Sequence, residues 1–130
     1  MESVSGIKTV LVVEDEPVIN QVCFRVLTGE GFEVDIAGNG DIAQDMLGKR
    51  DYALCLIDIR TPVMNGKQRY QHMIEEHLDI AERVIFTTGD MISDDIQSFL
   101  ELSGRPFLAK PFTPDELKAI VRKTLRQIEK

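Results

Sequence analysis

The sequence predicts an α/β fold, a five-stranded, doubly wound parallel sheet with helices on both faces. Three observations carry that expectation. Short apolar runs alternate with helical patterns five times along the chain. The first and third runs are almost wholly apolar, as strands covered on both faces must be. Polar residues cluster where the runs end: Glu14 and Asp15, Asp58, Thr88 and Lys110. In parallel strands these ends share one edge, the edge where open α/β sheets bind ligands.

Each element has its own signal. Val10-Leu11-Val12-Val13 forms the first strand, over residues 9–13. Pro17 then sits where a first-turn proline is tolerated. Val18, Val22, Val26 and Ile19, Cys23, Leu27 repeat at helical spacing. In residues 33–37, Glu33 and Asp35 alternate with Val34 and Ile36, which marks an edge strand. Asn39-Gly40 is read as a loop-to-helix turn, because Ile42, Ala43, Met46 and Leu47 follow at helical spacing over 41–49.

Residues 53–57 form the third strand, with Asp58 at its end. Asn65-Gly66 is a second loop-to-helix turn, and Tyr70, Met73, Ile74 and Leu78 mark the third helix. Residues 83–87 form the fourth strand. Ser93-Asp94-Asp95 supplies a cap and negative charge ahead of Ile96, Phe99 and Leu100. Residues 106–109 form the last strand. Thr113-Pro114-Asp115-Glu116 is a capping box before Leu117, Ile120, Val121, Leu125 and Ile128. Right-handed crossovers then give the flavodoxin-like (βα)5 order 2-1-3-4-5.

The 130 residues suit one domain able to bury a single core without staples. A net charge of −7 disfavours binding to a nucleic-acid backbone, which needs clustered Lys and Arg. Cys23 and Cys55 lie within apolar patterns and are expected to be buried thiols. The first residues lack the basic and apolar regions of a signal peptide, and no apolar run approaches the roughly 20 residues that span a bilayer. The expected location is cytoplasmic, without membrane contact by this domain; a longer parent could be membrane-anchored. His72 and His77 are five apart and share no helix face as i, i+4 ligands would.

Carboxylates, one hydroxyl and one lysine at a single edge suit a hydrated divalent cation together with a phosphoryl group. The motifs there are Val12-Val13-Glu14-Asp15-Glu16-Pro17, Leu56-Ile57-Asp58-Ile59-Arg60-Thr61-Pro62 with Gly66, Phe86-Thr87-Thr88-Gly89 and Lys110-Pro111-Phe112. In this order the chain resembles the receiver domain of two-component response regulators, over about residues 8–128 of a single domain 1–130. The segments 84–90 and 99–112 look most like receivers attached to hybrid sensor histidine kinases. A stand-alone regulator and a DNA-binding regulator are the alternatives.

The resemblance implies that Asp58 accepts a phosphoryl group, with Mg²⁺ or Mn²⁺ as cofactor. Asp15, Asp58 and the backbone carbonyl of Arg60 would hold the ion, with Glu14 direct or through water. Lys110 would pair with Asp58 and then with phosphoryl oxygens, and its bond to Pro111 is expected to be cis. Thr88 would donate its hydroxyl to the phosphoryl group; Thr87 is the less suitable neighbour. Phe107 occupies the aromatic switch position, so Thr88 and Phe107 would together bias the surface of the fourth helix, fifth strand and fifth helix. That surface is also the expected route to a homodimer. The implied partner is a histidine kinase or histidine phosphotransfer protein. Arg60 and Asp90 depart from commoner family choices and are expected to form an ion pair across the site mouth.

Without an ATP-binding segment the domain is not itself a kinase; it would catalyse only its own phosphorylation and dephosphorylation. A haloacid dehalogenase phosphatase fits poorly, since Asp58-Ile59-Arg60-Thr61 only half resembles Asp-x-Asp-x-Thr. A flavin carrier is disfavoured because Glu14-Asp15-Glu16 would repel a phosphate. The non-catalytic alternative is a degenerate receiver that binds partners without phosphorylation.

Overall fold

A computed structural model describes residues 8–60, 71, 75, 76, 78–89 and 94–128. The strands are β1 (Thr9–Val13), β2 (Glu33–Ala37), β3 (Leu54–Asp58), β4 (Val84–Thr88) and β5 (Phe107–Ala109). The helices are α1 (Pro17–Gly29), α2 (Gly40–Lys49), α3 (Leu78–Ala81), α4 (Asp94–Ser103) and α5 (Pro114–Ile128). All strand pairs are parallel, and the order is β2-β1-β3-β4-β5. This is the expected doubly wound topology.

Alternation along the strands feeds two cores. Val10, Val12, Leu54, Leu56 and Ile85 pack with Cys23, Leu27, Leu117 and Val121 of α1 and α5. Leu11, Val13, Cys55, Ile57 and Phe86 pack with Ala43, Leu47, Ile80 and Leu100 on the other face. Successive strand side chains point to opposite faces, so a central strand buried on both sides must be apolar throughout. Every residue of β3 and β4 is buried. Both cysteines are buried, and neither is in a disulfide.

The β2 edge carries the charge that its sequence announced. Arg50 pairs with Glu33 and, at 3.0 Å, with Asp35, whose carboxylate also accepts from the Tyr52 hydroxyl at 2.8 Å. Charged residues on an edge strand also discourage pairing with another chain.

Helix starts follow their local chemistry. Asn39 caps α2, accepting from the Ile42 amide at 3.0 Å, and Gly40 is already helical. The capping box of α5 is complete: Glu116 N–H donates to Thr113 Oγ1 at 3.1 Å, and Thr113 N–H donates to Glu116 Oε1 at 2.8 Å. Such a cap contributes about 1 kcal/mol. Gly104 ends α4 at φ +68°, where only glycine avoids a Cβ penalty, and its amide donates back to Leu100.

Two strand limits lie one residue later than expected. Asp58 and Thr88 are the last residues of β3 and β4, not the first beyond them. The ladder reaches them because Asp58 stands in register with Thr87, and Thr88 with Ala109. Thr61, Gly66, His72, His77, Asp90 and Ser93 lie outside the described residues, as does most of the expected third helix.

Candidate active site

Four strands converge on one edge and bring the expected residues together. Glu14 is one residue past β1, where its amide still donates to Ala37 of β2 at 3.0 Å. Asp58 ends β3. Thr88 ends β4, and its carbonyl accepts from the Lys110 amide at 2.7 Å, which anchors Lys110 one residue past β5. The Lys110–Pro111 bond is cis.

Lys110 Nζ is the hub. It lies 2.7 Å from Glu14 Oε1, 2.8 Å from Glu16 Oε1 and 3.1 Å from Asp58 Oδ2. The bonds to Glu16 and Asp58 have hydrogen-bond geometry. The approach to Glu14 Oε1 does not, and that buried oxygen has no hydrogen-bond partner. The second Glu14 oxygen accepts from the Glu16 amide at 3.1 Å. Asp58 Oδ1 accepts from the Arg60 amide at 3.0 Å.

Burial and charge oppose each other here. Burial pushes the Glu14 carboxyl up to about 7; the Lys110 bond works against that rise and the Asp58 charge adds to it. Burial also works against the Lys110 ammonium, but its ion pairs with three carboxylates outweigh it and hold its pKa above the ordinary lysine value. The two partners differ because one ammonium is shared among three carboxylates. Lys110 gains from all three, while each carboxylate receives only part of its charge.

The donors suit a hard cation. Oxygens of Glu14, Glu16 and Asp58 all lie within 4.8 Å of one another, and one of them is buried without a hydrogen-bond donor. An all-oxygen set of this kind matches Mg²⁺ chemistry.

Two features of this site differ from the sequence expectation. Glu16, not among the expected site residues, belongs to the converging group, whereas Asp15 is exposed. Glutamate is a poor N-cap, and Glu16 at the α1 N-cap makes no capping bond, so its carboxylate is spare. Phe107 is 44% exposed. Thr88 is buried, and its hydroxyl has no hydrogen-bond partner among the described residues. Thr87 is also buried, and its carbonyl accepts from the Ile59 amide at 3.0 Å. Arg60 is exposed at the same edge; its expected partner Asp90 is outside the described residues.

Known proteins resemble this chain in sequence and fold. The response regulator receiver domain model matches residues 10–122. Response regulator Rre1 of Synechocystis sp. is 38% identical over 119 residues, covering 90% of this chain and 51% of that protein. The transcriptional regulatory protein PmrA of Pectobacterium parmentieri is 30% identical over 125 residues, covering 90% of this chain and 52% of that protein. The chain thus spans about half the length of these relatives.

Among solved structures, a CheY-like receiver domain protein from Methanospirillum hungatei superposes with a TM-score of 0.86 at 25% identity, over 95% of this chain and 98% of that one. The receiver domain of sensor histidine kinase PA1611 from Pseudomonas aeruginosa superposes with a TM-score of 0.79 at 27% identity, over 92% and 98%. It was solved with a magnesium ion coordinated in its active site cleft. No described helix is long and apolar enough to cross a membrane. The match to the family model over most of its length, on a sheet whose carboxyl edge gathers Glu14, Asp58, Thr88 and Lys110, establishes that this chain belongs to the response regulator receiver domain family.

Proposed function

We propose that this domain is a phosphorelay receiver in which Asp58 takes a phosphoryl group from a phosphohistidine donor. The observation that carries the reading is the Lys110 ammonium 3.1 Å from Asp58 and 2.7 Å from Glu14, at the carboxyl edge of the sheet. Asp58 oxygen attacks phosphorus; a P–O bond forms as the donor's P–N bond breaks, and the imidazole nitrogen leaves with the electron pair. Both reactants are anionic, so positive charge must be held in place beforehand.

Glu14, Asp15, Asp58 and the Arg60 carbonyl would hold Mg²⁺, or Mn²⁺ in its place. When bound, the ion supplies charge that offsets repulsion between the carboxylate and the phosphoryl oxygens. Lys110 gives up its bond to Asp58 for one to a phosphoryl oxygen. The Thr88 hydroxyl, which has no hydrogen-bond partner among the described residues, would donate to another. Movement of Thr88 would make room for Phe107 to turn inward, biasing the face of α4, β5 and α5. That face would serve as the output surface and as a homodimer contact. Arg60 at the mouth would tune water access, through an ion pair with Asp90.

The donor would be a histidine kinase or histidine phosphotransfer protein, and the domain itself would act in the cytoplasm. The segment 84–90 supports a hybrid sensor histidine kinase as parent; the names of relatives such as Rre1 and PmrA support a stand-alone or DNA-binding regulator. A hybrid-type receiver would accept phosphate from a histidine phosphotransfer protein faster than from an isolated kinase core.

The test is intact mass after incubation with Mg²⁺ and acetyl phosphate. One added phosphoryl group is expected, absent from Asp58→Asn and from an EDTA-treated sample. No gain, together with no beryllofluoride binding, would leave a degenerate receiver that binds partners unmodified.

A further inference from the structure

The site holds one more acidic group than the phosphoryl chemistry above uses. Glu16 Oε1 accepts from Lys110 Nζ at 2.8 Å, the shorter of that ammonium's two well-formed hydrogen bonds. Yet Glu16 is 59% exposed and does not cap the helix at whose N-cap it stands. A glutamate that neither caps nor packs, but reaches a lysine 94 residues away, is held by that lysine.

The other two partners of Lys110 are in demand elsewhere. Glu14 and Asp58 are buried, and their oxygens converge with that of Glu16 within 4.8 Å. An ammonium beside these carboxylates competes directly with any cation that needs them. Glu16 is the only exposed member of the trio. It can therefore swing outward with Lys110 while the buried pair stays in place.

We propose that Glu16 is a positioning residue that draws Lys110 away from Glu14 and Asp58 when a divalent cation takes those carboxylates. It acts through Lys110 rather than as a ligand. The inference rests on the receiver reading only for the identity of the ion.

Mg²⁺ affinity of the unphosphorylated protein, measured by calorimetry, tests this as a double-mutant cycle. Lys110→Met keeps the length of the apolar stem, and Glu16→Gln keeps the shape of an exposed side chain, so both variants should fold. Glu16→Gln should raise the Mg²⁺ dissociation constant about tenfold in the native background. In the Lys110→Met background the same change should be at least about threefold smaller, because no ammonium is left to be drawn off the buried pair. The Lys110 ¹⁵Nζ resonance should also stay sharp on adding Mg²⁺ to the native protein and broaden in Glu16→Gln.

An unchanged constant in Glu16→Gln overturns the inference and leaves the receiver reading intact. An equal loss in both backgrounds also overturns it, since Glu16 would then act by its own charge or as a ligand. Failure of the native protein to bind Mg²⁺ at all removes this inference together with the cation half of the proposed function.

Discussion

Lys110 Nζ and Asp58 Oδ2 lie 3.1 Å apart, although 52 residues separate them in the chain. The contact exists because β4 lies between β3 and β5, and each strand ends at the same height. Removing the ammonium takes away the cation that Glu14 and Asp58, both buried, share. Lys110→Met should therefore lose roughly 3 kcal/mol of stability in EDTA at pH 7. Millimolar Mg²⁺ should restore much of it, since a cation can take the vacated role. Urea unfolding with and without Mg²⁺ measures both numbers. A midpoint that does not move in EDTA would show that the ion pair carries no net weight.

Thr88 offers the opposite case. Its hydroxyl is buried and has no partner among the described residues, so the resting protein bears a desolvation cost that an apolar isostere would not. Thr88→Val should be more stable than the native chain by about 1 kcal/mol in urea. The same variant should lose the phosphorylation-dependent change in the α4–β5–α5 face, read as amide shifts on beryllofluoride binding. A destabilised Thr88→Val would mean that the hydroxyl has a partner at rest.

Alkaline pH should weaken the fold through groups remote from the chemistry. Burial, with the Glu14 charge behind it, pushes the Cys23 thiol up to about 12 from an ordinary value near 9. Burial and the bond to Asp35 likewise raise Tyr52 above its ordinary value. Both groups hold their protons more tightly folded than unfolded. Their contribution is complete below the unfolded pKa and disappears as pH rises through the folded one. Stability should hold to about pH 9 and then fall progressively toward pH 12. Urea midpoints across that range, compared with Cys23→Ala and Tyr52→Phe, should show a shallower slope in each variant. An identical slope in all three would place the loss elsewhere.

Much of this molecule was legible in its residues. The apolar runs at 9–13 and 53–57 left no polar face to expose, so a doubly covered sheet was the only economical solution. The polar alternation in Glu33–Ala37 placed that strand at an edge, and Thr113 with Glu116 announced the last helix. Cys23 and Cys55 are buried for the same reason that their neighbours are apolar. The site was legible because parallel strands share one carboxyl edge; the topology then brings Glu14, Asp58, Thr88 and Lys110 together.

Other features were beyond reach of pattern alone. Glu16 and Asp15 are adjacent acids in the same triplet, and nothing in their order says which one turns toward Lys110. The turn from β1 into α1 decides it, by placing Glu16 at an N-cap it does not fill. Strand periodicity could not tell whether the Thr88 hydroxyl has a partner, because hydrogen bonding depends on which groups the neighbouring strands bring near. Nor could it say how far Phe107 is exposed on an edge strand. Local periodicity and end chemistry by themselves determined the elements, their order and the residues at the sheet edge. Only tertiary structure decided how one ammonium is divided among three carboxylates, because that division depends on distances set by strand register and burial.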